Sequence, residues 1–426
     1  MRVCIFEDGE FEKLYPLTYL RPVCGLRCGR TLLFEKAGRA FPKIKIDFWI
    51  RGYLAKVWKK EAAGHTGTGV VVNEPEALKK DDTLFINSRW LFGDTKDNIP
   101  KSEEIGEMDG TIVYALIKKE RLANLTGDIH TWLAGLKKDI PVKATRARLI
   151  NYPWDLVNYN GEAIKEDFAE LGPGIKGEFS PQACIYGEKK KVYVGKKAVV
   201  SPMVVIDTTH GPVIIDEEAI IYPFTRIEGP SYIGRNAQIH GAKVREGSSI
   251  GPVCRVGGEV EEVIIHGYSN KYHDGFLGHS YVGEWVNLGA LTTNSDIKND
   301  YSPVSVYIKN ELMSSGHNKV GSFIGDHTKT SIGTFLNTGT VVGVMTNLVG
   351  SGGVLPKYVP SFVWYLNGKF SKGYGFKMLL QTAKVAMSRR GKELGPEEIE
   401  VLNHVYELTR AKREELIEKD QMGGGK

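Results

Sequence analysis

Three histidines, His266, His273 and His279, stand in or beside the stretch YSNKYHDGFLGHSYVGEWVNLGA, which runs from Tyr268 to Ala290. Residues of this type support two chemistries. A single imidazole with a pKa of about 6.5 can take up a proton near neutrality and act as a general base. Three imidazoles shared between subunits can instead hold zinc and activate a water. A loop histidine bonded to backbone does neither. The cysteines add nothing to a metal set, because Cys24 and Cys28 form the one close pair and Cys4, Cys184 and Cys254 are scattered.

What must position these residues is a rhythm of six. Every sixth residue from Val194 is Val194, Val200 and Ile206, and from Ile215 it is Ile215, Ile221, Ile227, Ile233 and Ile239. After one residue is dropped come Val244, Ile250 and Val256, then Val282 and Leu288, then Ile324, Thr330, Leu336, Val342 and Leu348. Such a period is neither that of a helix nor that of a strand. It fits a coil of three short flat faces, each turning one aliphatic side chain inward, with turns at the corners where Gly is useful. The sequence therefore predicts a parallel β-helix of hexapeptide repeats over residues 186–356. Residues 257–281 and 291–323 break the rhythm and are expected as loops on one side, with His273 on the first of them.

The flanks read differently. Residues 1–185 alternate apolar runs (MRVCIF, TLFIN, GTIVYALI) with helix-like text (RTLLFEKAGRAF, HTWLAGLKKD), which predicts an α/β domain with a mostly parallel sheet. GPGIKGEFSPQ, from Gly172 to Gln182, reads as a linker, and VGSGG from Val349 as the end of the β-helix rather than a phosphate loop. Residues 357–426 predict a helical hairpin, with Pro396 opening its second helix and a disordered MGGGK end.

With 426 residues, two or three domains are expected, and 42% hydrophobic with 25% charged residues is the composition of a soluble globular protein. A net charge of +5 makes no case for nucleic acid but suits small anionic substrates. No stretch approaches the roughly 18 apolar residues of a membrane span, and no secretory leader is legible, so a cytoplasmic protein is expected.

The motifs YPLTYLRPV, FIN, YPWD, VGGEV, GYSNK-x-HDGFLG, GEW-x-NLGA, NTGTVVGV and PSF-x-W, spread from Tyr15 to Trp364, resemble a family. It is that of the bifunctional enzymes joining N-acetylglucosamine-1-phosphate uridyltransferase to glucosamine-1-phosphate N-acetyltransferase, in an alternative bacterial (Bacteroidetes-type) branch. The resemblance implies a nucleotidyltransferase-like α/β domain, a left-handed parallel β-helix, a homotrimer with acetyl-transfer sites between neighbours, acetyl-CoA as co-substrate, and UTP with Mg2+ for the second reaction. It implies His273 as the general base, Gly289 and Ala290 as acetyl-CoA contacts, and Arg245, Lys271, Asn287 and Asn294 as substrate-binding residues. A backbone N–H at the Gly-Ala pair would steady the oxyanion of the thioester. There are departures: a family Tyr is Phe276 here, and a family Lys has no counterpart in the acidic VEEVIIHG.

The N-terminal half departs further. Only Gly9 remains of the family's Gly-rich phosphate loop, with Arg21 and Arg30 as replacement cations. The metal-binding Asp is Asn87, a poorer ligand, leaving Asp8 as the metal candidate. Loss and retention of uridylyl transfer both stay open. Two other readings compete: a non-catalytic trimeric scaffold that senses nucleotide sugars, and a zinc-dependent enzyme like the β-helix carbonic anhydrases.

Overall fold

The computed structural model describes residues 1–42, 44–66, 69–93, 100–350 and 352–422. Residues 423–426 of the MGGGK end and Ser351 of VGSGG lie outside them. The chain divides into two units: Met1–Leu14, Leu20–Leu26 and Thr31–Asn151 form one, and Tyr15–Tyr19, Arg27–Arg30 and Tyr152–Lys426 the other.

The first unit is built on a six-stranded sheet: β1 (Arg2–Phe6), β2 (Ile46–Trp49), β3 (Thr83–Asn87), β4 (Glu104–Met108), β5 (Thr111–Ile117) and β6 (Val142–Ala144), in the order β2-β1-β3-β5-β4-β6. β1 runs parallel to β2 and β3, while β5 is antiparallel to both β3 and β4. The apolar runs that predicted strands are buried on both faces, as expected where helices such as α1 (Leu33–Ala40) and α2 (Ala55–Thr66) accompany a sheet. Phe6, Phe85, Ile112 and Ala115 share one core.

The second unit is a solenoid of parallel strands. Its inward rows are those of the six-residue rhythm. One row runs Val194, Ile215, Ile233, Ile250, Ile265, Val282, Ile324, Val342 and Val359 in direct register. A second runs Val200, Ile221, Ile239, Val256 and Lys271, and a third Ile206, Ile227, Val244, Val260 and Leu277. The aliphatic members are almost completely buried. Burying each contributes about 1.5–3 kcal/mol, so the stacked rows hold the coil.

The structure differs from the sequence expectation in four places. The supposed linker is already coil: Gly174–Ile175 pairs with Tyr193–Val194, and Glu178–Phe179 with Val199–Val200. Residues 257–281 are a full turn rather than a loop, with Val260, Ile265 and Leu277 inward. The rhythm is lost there because turn length changes: Ile239 pairs with Val256, 17 residues on, but Val256 pairs with Lys271, only 15 on. The second break keeps Thr293–Asn294 in the coil and then carries the antiparallel hairpin Ser305–Ile308 and Glu311–Ser314. Among the described residues the tail holds three helices, because the expected long second helix is broken at Thr409.

Four of the unit's helices follow. α3 (Pro153–Leu171) lies against the solenoid, where Asn160 accepts from Gly29 N–H at 2.6 Å and donates to Gly247 O at 2.7 Å. α4 (Phe376–Ser388) precedes the helix pair α5 (Pro396–Leu408) and α6 (Arg410–Met422). Ile417 of α6 joins the solenoid core. Among the described residues, no helix is long and apolar enough to cross a membrane.

Candidate functional site

The short strand Asn270–Lys271 ends at a corner, and His273 sits on that corner, exposed. The next turn of the solenoid repeats the corner 17 residues later. Leu288 N–H donates to Asn270 O and Leu291 N–H to Asp274 O, both at 2.8 Å, so Ala290 stacks on His273. Among the described residues, nothing accepts from the Ala290 N–H, and no side chain hydrogen-bonds to the His273 ring; Tyr272 alone packs edge-on to it, 5.0 Å away. An imidazole and an unengaged N–H thus occupy equivalent positions of one corner in successive turns. The neighbouring Gly289 N–H is already given to Thr330 Oγ1 at 2.8 Å.

Asn287 lies on the strand row that leads to this corner, exposed, with its Oδ1 accepting from Asn270 Nδ2 at 3.2 Å. It can reach a bound hydroxyl. The other three substrate-binding residues expected from the sequence are differently placed. Lys271 takes the inward position below Val256, is 3% exposed, and donates its Nζ to the carbonyls of Gly257 at 2.9 Å and His273 at 3.0 Å. Burial, against the pull of Asp274, pushes its ammonium down to about 8. Asn294 is also inward, in register with Leu336, and its side chain is spent on Gly278 N–H, Gly278 O and Ser280. Arg245 is on another face, bonded to Glu261 at 2.9 Å with Glu228, Glu246 and Glu259 within 4.0 Å. Its charge is already matched.

The three histidines do not converge. His266 is buried with Nδ1 2.8 Å from the Tyr281 hydroxyl, and His279 is buried between Asp296 at 2.8 Å and Glu262 at 3.3 Å. Among the described residues, no three His, Cys, Asp or Glu side chains gather as a metal set.

In the first unit, Asp8 and Asn87 do come together, but around an arginine that the sequence reading missed. Arg89 bonds both Asp8 oxygens through Nε (3.0 and 3.1 Å) and Nη2 (2.6 Å), Asn87 Nδ2 adds 2.8 Å, and Glu10 N–H adds 3.1 Å. Burial raises the carboxyl's pKa, and Arg89 overcomes this, holding it below the usual range. Arg89 and Asp8 are 1% and 4% exposed. With both oxygens committed, this donor set does not fit magnesium; the guanidinium supplies the positive charge. Arg21 is buried, and its carbonyl accepts from Arg51 at 2.9 Å. Arg30 belongs to the second unit, where its side chain pairs with Asp216 at 3.4 Å and its N–H with Asp167 at 2.7 Å.

A second group went unnoticed in the sequence: Lys329, Arg389 and Arg390 line a cavity of about 410 Å³ with Asn270, Asn287 and Trp285. Their one sequence signal was three cations at outward positions near the ends of elements.

Comparison with known proteins gives the following. Residues 3–174 match the family described as sugar nucleotidyl transferase. A bifunctional sugar-1-phosphate nucleotidylyltransferase/acetyltransferase from Sulfurisphaera tokodaii is 35% identical over 32% of this chain and 35% of its own length. The bifunctional protein GlmU of Methanococcus aeolicus is 30% identical over 46% of this chain and 41% of its own. That of Methanococcus maripaludis is 25% identical over 70% of this chain and 64% of its own. The chain thus spans about a third to two thirds of the length of these relatives.

Proposed function

We propose that this chain, whose residues 3–174 match the family described as sugar nucleotidyl transferase, acetylates the amine of a hexosamine 1-phosphate, glucosamine 1-phosphate first among them, using acetyl-CoA. The observation that carries the reading is the corner at which exposed His273 stacks over the unengaged N–H of Ala290. His273 takes the proton of the attacking amine as its nitrogen bonds to the thioester carbon. The Ala290 N–H stabilises the oxyanion. The C–S bond then breaks, and coenzyme A leaves as the thiolate, which takes up a proton. Asn287 holds a sugar hydroxyl.

The name of the Sulfurisphaera tokodaii relative supports a second reaction, nucleotidylyl transfer to a sugar 1-phosphate. The reading takes it as transfer of a uridylyl group from UTP to give UDP-N-acetylglucosamine. No step of it is assigned to a metal, because Asp8 is held by Arg89.

The reading includes a cytoplasmic homotrimer. Along the His273 corner, Met203, Phe224, Leu291 and Ile332 are 56%, 78%, 59% and 75% exposed, an apolar stripe suited to a neighbouring copy. The test is thiol release from acetyl-CoA with glucosamine 1-phosphate. Wild type should turn over, and a folded His273→Ala variant should lose about 10²- to 10⁴-fold. Absence of release by the wild type with any hexosamine 1-phosphate would refute the reading.

A further inference from the structure

The cavity of about 410 Å³ lies between α4 and the outward row Asn270, Asn287 and Lys329. Its three charged lining residues are Lys329, Arg389 and Arg390, and no carboxylate lines it. Lys329 donates to Trp285 O at 2.6 Å and His327 O at 3.0 Å, which leaves one of its three N–H groups. Burial alone pushes this ammonium down to about 8. Arg390 gives Nη2 to Asn270 Oδ1 at 3.1 Å, while its Nε is buried with no partner. Burial and the like charges of Arg255 and Arg389 lower its pKa.

Cations held together and partly desolvated without a counter-charge are costly, and an orphaned buried donor calls for an explanation. The C-terminal end of α4 favours arginines by its dipole, but this accounts neither for the orphaned Arg390 Nε nor for Lys329 on a different element. An anion in the cavity accounts for both. The wall beside it is the stacked pair Tyr268 and Trp285, ring centroids 4.5 Å apart, which offers a flat apolar surface.

We propose that this cavity binds the phosphoryl group of one of the reaction's substrates, with Arg390 Nε and the remaining Lys329 N–H as donors and Arg389 closing from the helix. Charge-assisted bonds of this kind are the strong ones for phosphate. Asn287 lines both the cavity and the row leading to the His273 corner, so the phosphoryl group sits about one short strand, roughly 10 Å, from the base. The phosphoryl group is that of the sugar 1-phosphate or of coenzyme A. Assignment to a substrate rests on the acetyl-transfer reading; the anion site itself does not.

The experiment is calorimetric titration of the full chain with inorganic phosphate, for wild type, Arg390→Gln, Lys329→Gln and Arg389→Gln. Arg389 is exposed, so its variant tests the site where the others disturb packing. The expected result is saturable binding by wild type, weakened at least tenfold in Arg390→Gln and several-fold in Arg389→Gln, with unchanged circular dichroism. Displacement of phosphate by coenzyme A but not by its 3′-dephospho form names that phosphate. Displacement by glucosamine 1-phosphate names the acceptor. Absence of saturable phosphate binding, or equal binding in all four proteins, overturns the anion site. Phosphate that binds but is displaced by neither compound overturns the substrate assignment alone.

Discussion

Lys271 Nζ donates to the carbonyl oxygen of His273 at 3.0 Å, from a position that Val256 fills with an aliphatic side chain one turn earlier. A cation thus replaces a methyl-bearing residue inside the coil and fastens the backbone of the exposed imidazole. We predict a positioning role for it, since Lys271 is 3% exposed and its ammonium is bonded to backbone carbonyls. Lys271→Met keeps the volume and removes the tether. The expected outcome is a fall in kcat of roughly ten- to a hundredfold with little change in KM for glucosamine 1-phosphate. A rise in KM with unchanged kcat would instead show that Lys271 contacts the substrate.

The same lysine and Lys329 set a pH dependence of stability. Both have folded pKa values pushed down to about 8 from 10.5. Below about pH 8 both states carry the proton, and the folded state bears the full cost of a buried charge. Between about 8 and 10.5 the unfolded state binds more protons, so stability rises with pH. For Lys271 the difference amounts to roughly 3 kcal/mol across that window. Urea unfolding at pH 7.5 and pH 10 should therefore show the stability of Lys271→Met relative to wild type decreasing as pH rises. A constant difference would mean that the ammonium is solvated.

Most of the solenoid was legible because its inward rows are aliphatic and its commonest turns are 17, 18 or 21 residues long. The site was less so. A count of six cannot be carried across the turn in which Val256 meets Lys271, so Lys271 read as a loop cation and 257–281 as an insertion. Corners were equally opaque: Val253, Tyr268, Trp285, Met345 and Phe362 all have φ between 52° and 61°, where glycine or asparagine is the expected residue. Asn287 and His273, expected at the site from the resemblance, are both exposed, so a ligand can reach their side chains. Asn294 is buried and bonded within the coil, a placement that polarity alone does not reveal.

Asn294 illustrates this as an experiment. Its amide bonds Gly278 N–H, Gly278 O and Ser280, all buried. Asn294→Ala strands these groups, and each unsatisfied buried group costs about 1–3 kcal/mol. A lowered thermal midpoint is expected, with KM nearly unchanged at temperatures where the variant is folded. A large KM effect in a stable variant would restore Asn294 to the substrate site.

Arg89 and Asp8 give the matching test in the first unit. Breaking their buried pair with Arg89→Met leaves an uncompensated carboxylate and should cost about 3–5 kcal/mol, whereas the double variant Arg89→Met with Asp8→Leu should recover much of it. Chelation of divalent metal should leave acetyl transfer unchanged, because among the described residues no three His, Cys, Asp or Glu side chains gather as a metal set. A loss of thiol release in the presence of EDTA, restored by magnesium, would disprove this.

Leu291 stands on the exposed corner one residue past Ala290 and is 59% exposed. If neighbouring copies close the acetyl-transfer corner, a charge there must disrupt both assembly and activity, since burying an unpaired carboxylate costs far more than it returns. Leu291→Asp should sediment as a monomer and lose thiol release, while its circular dichroism and unfolding at low concentration resemble those of wild-type monomer. Phe224→Asp, several turns away on the same corner, should weaken the trimer with a smaller effect on turnover at saturating protein. Full activity in a monomeric Leu291→Asp protein would mean that one chain alone completes the site.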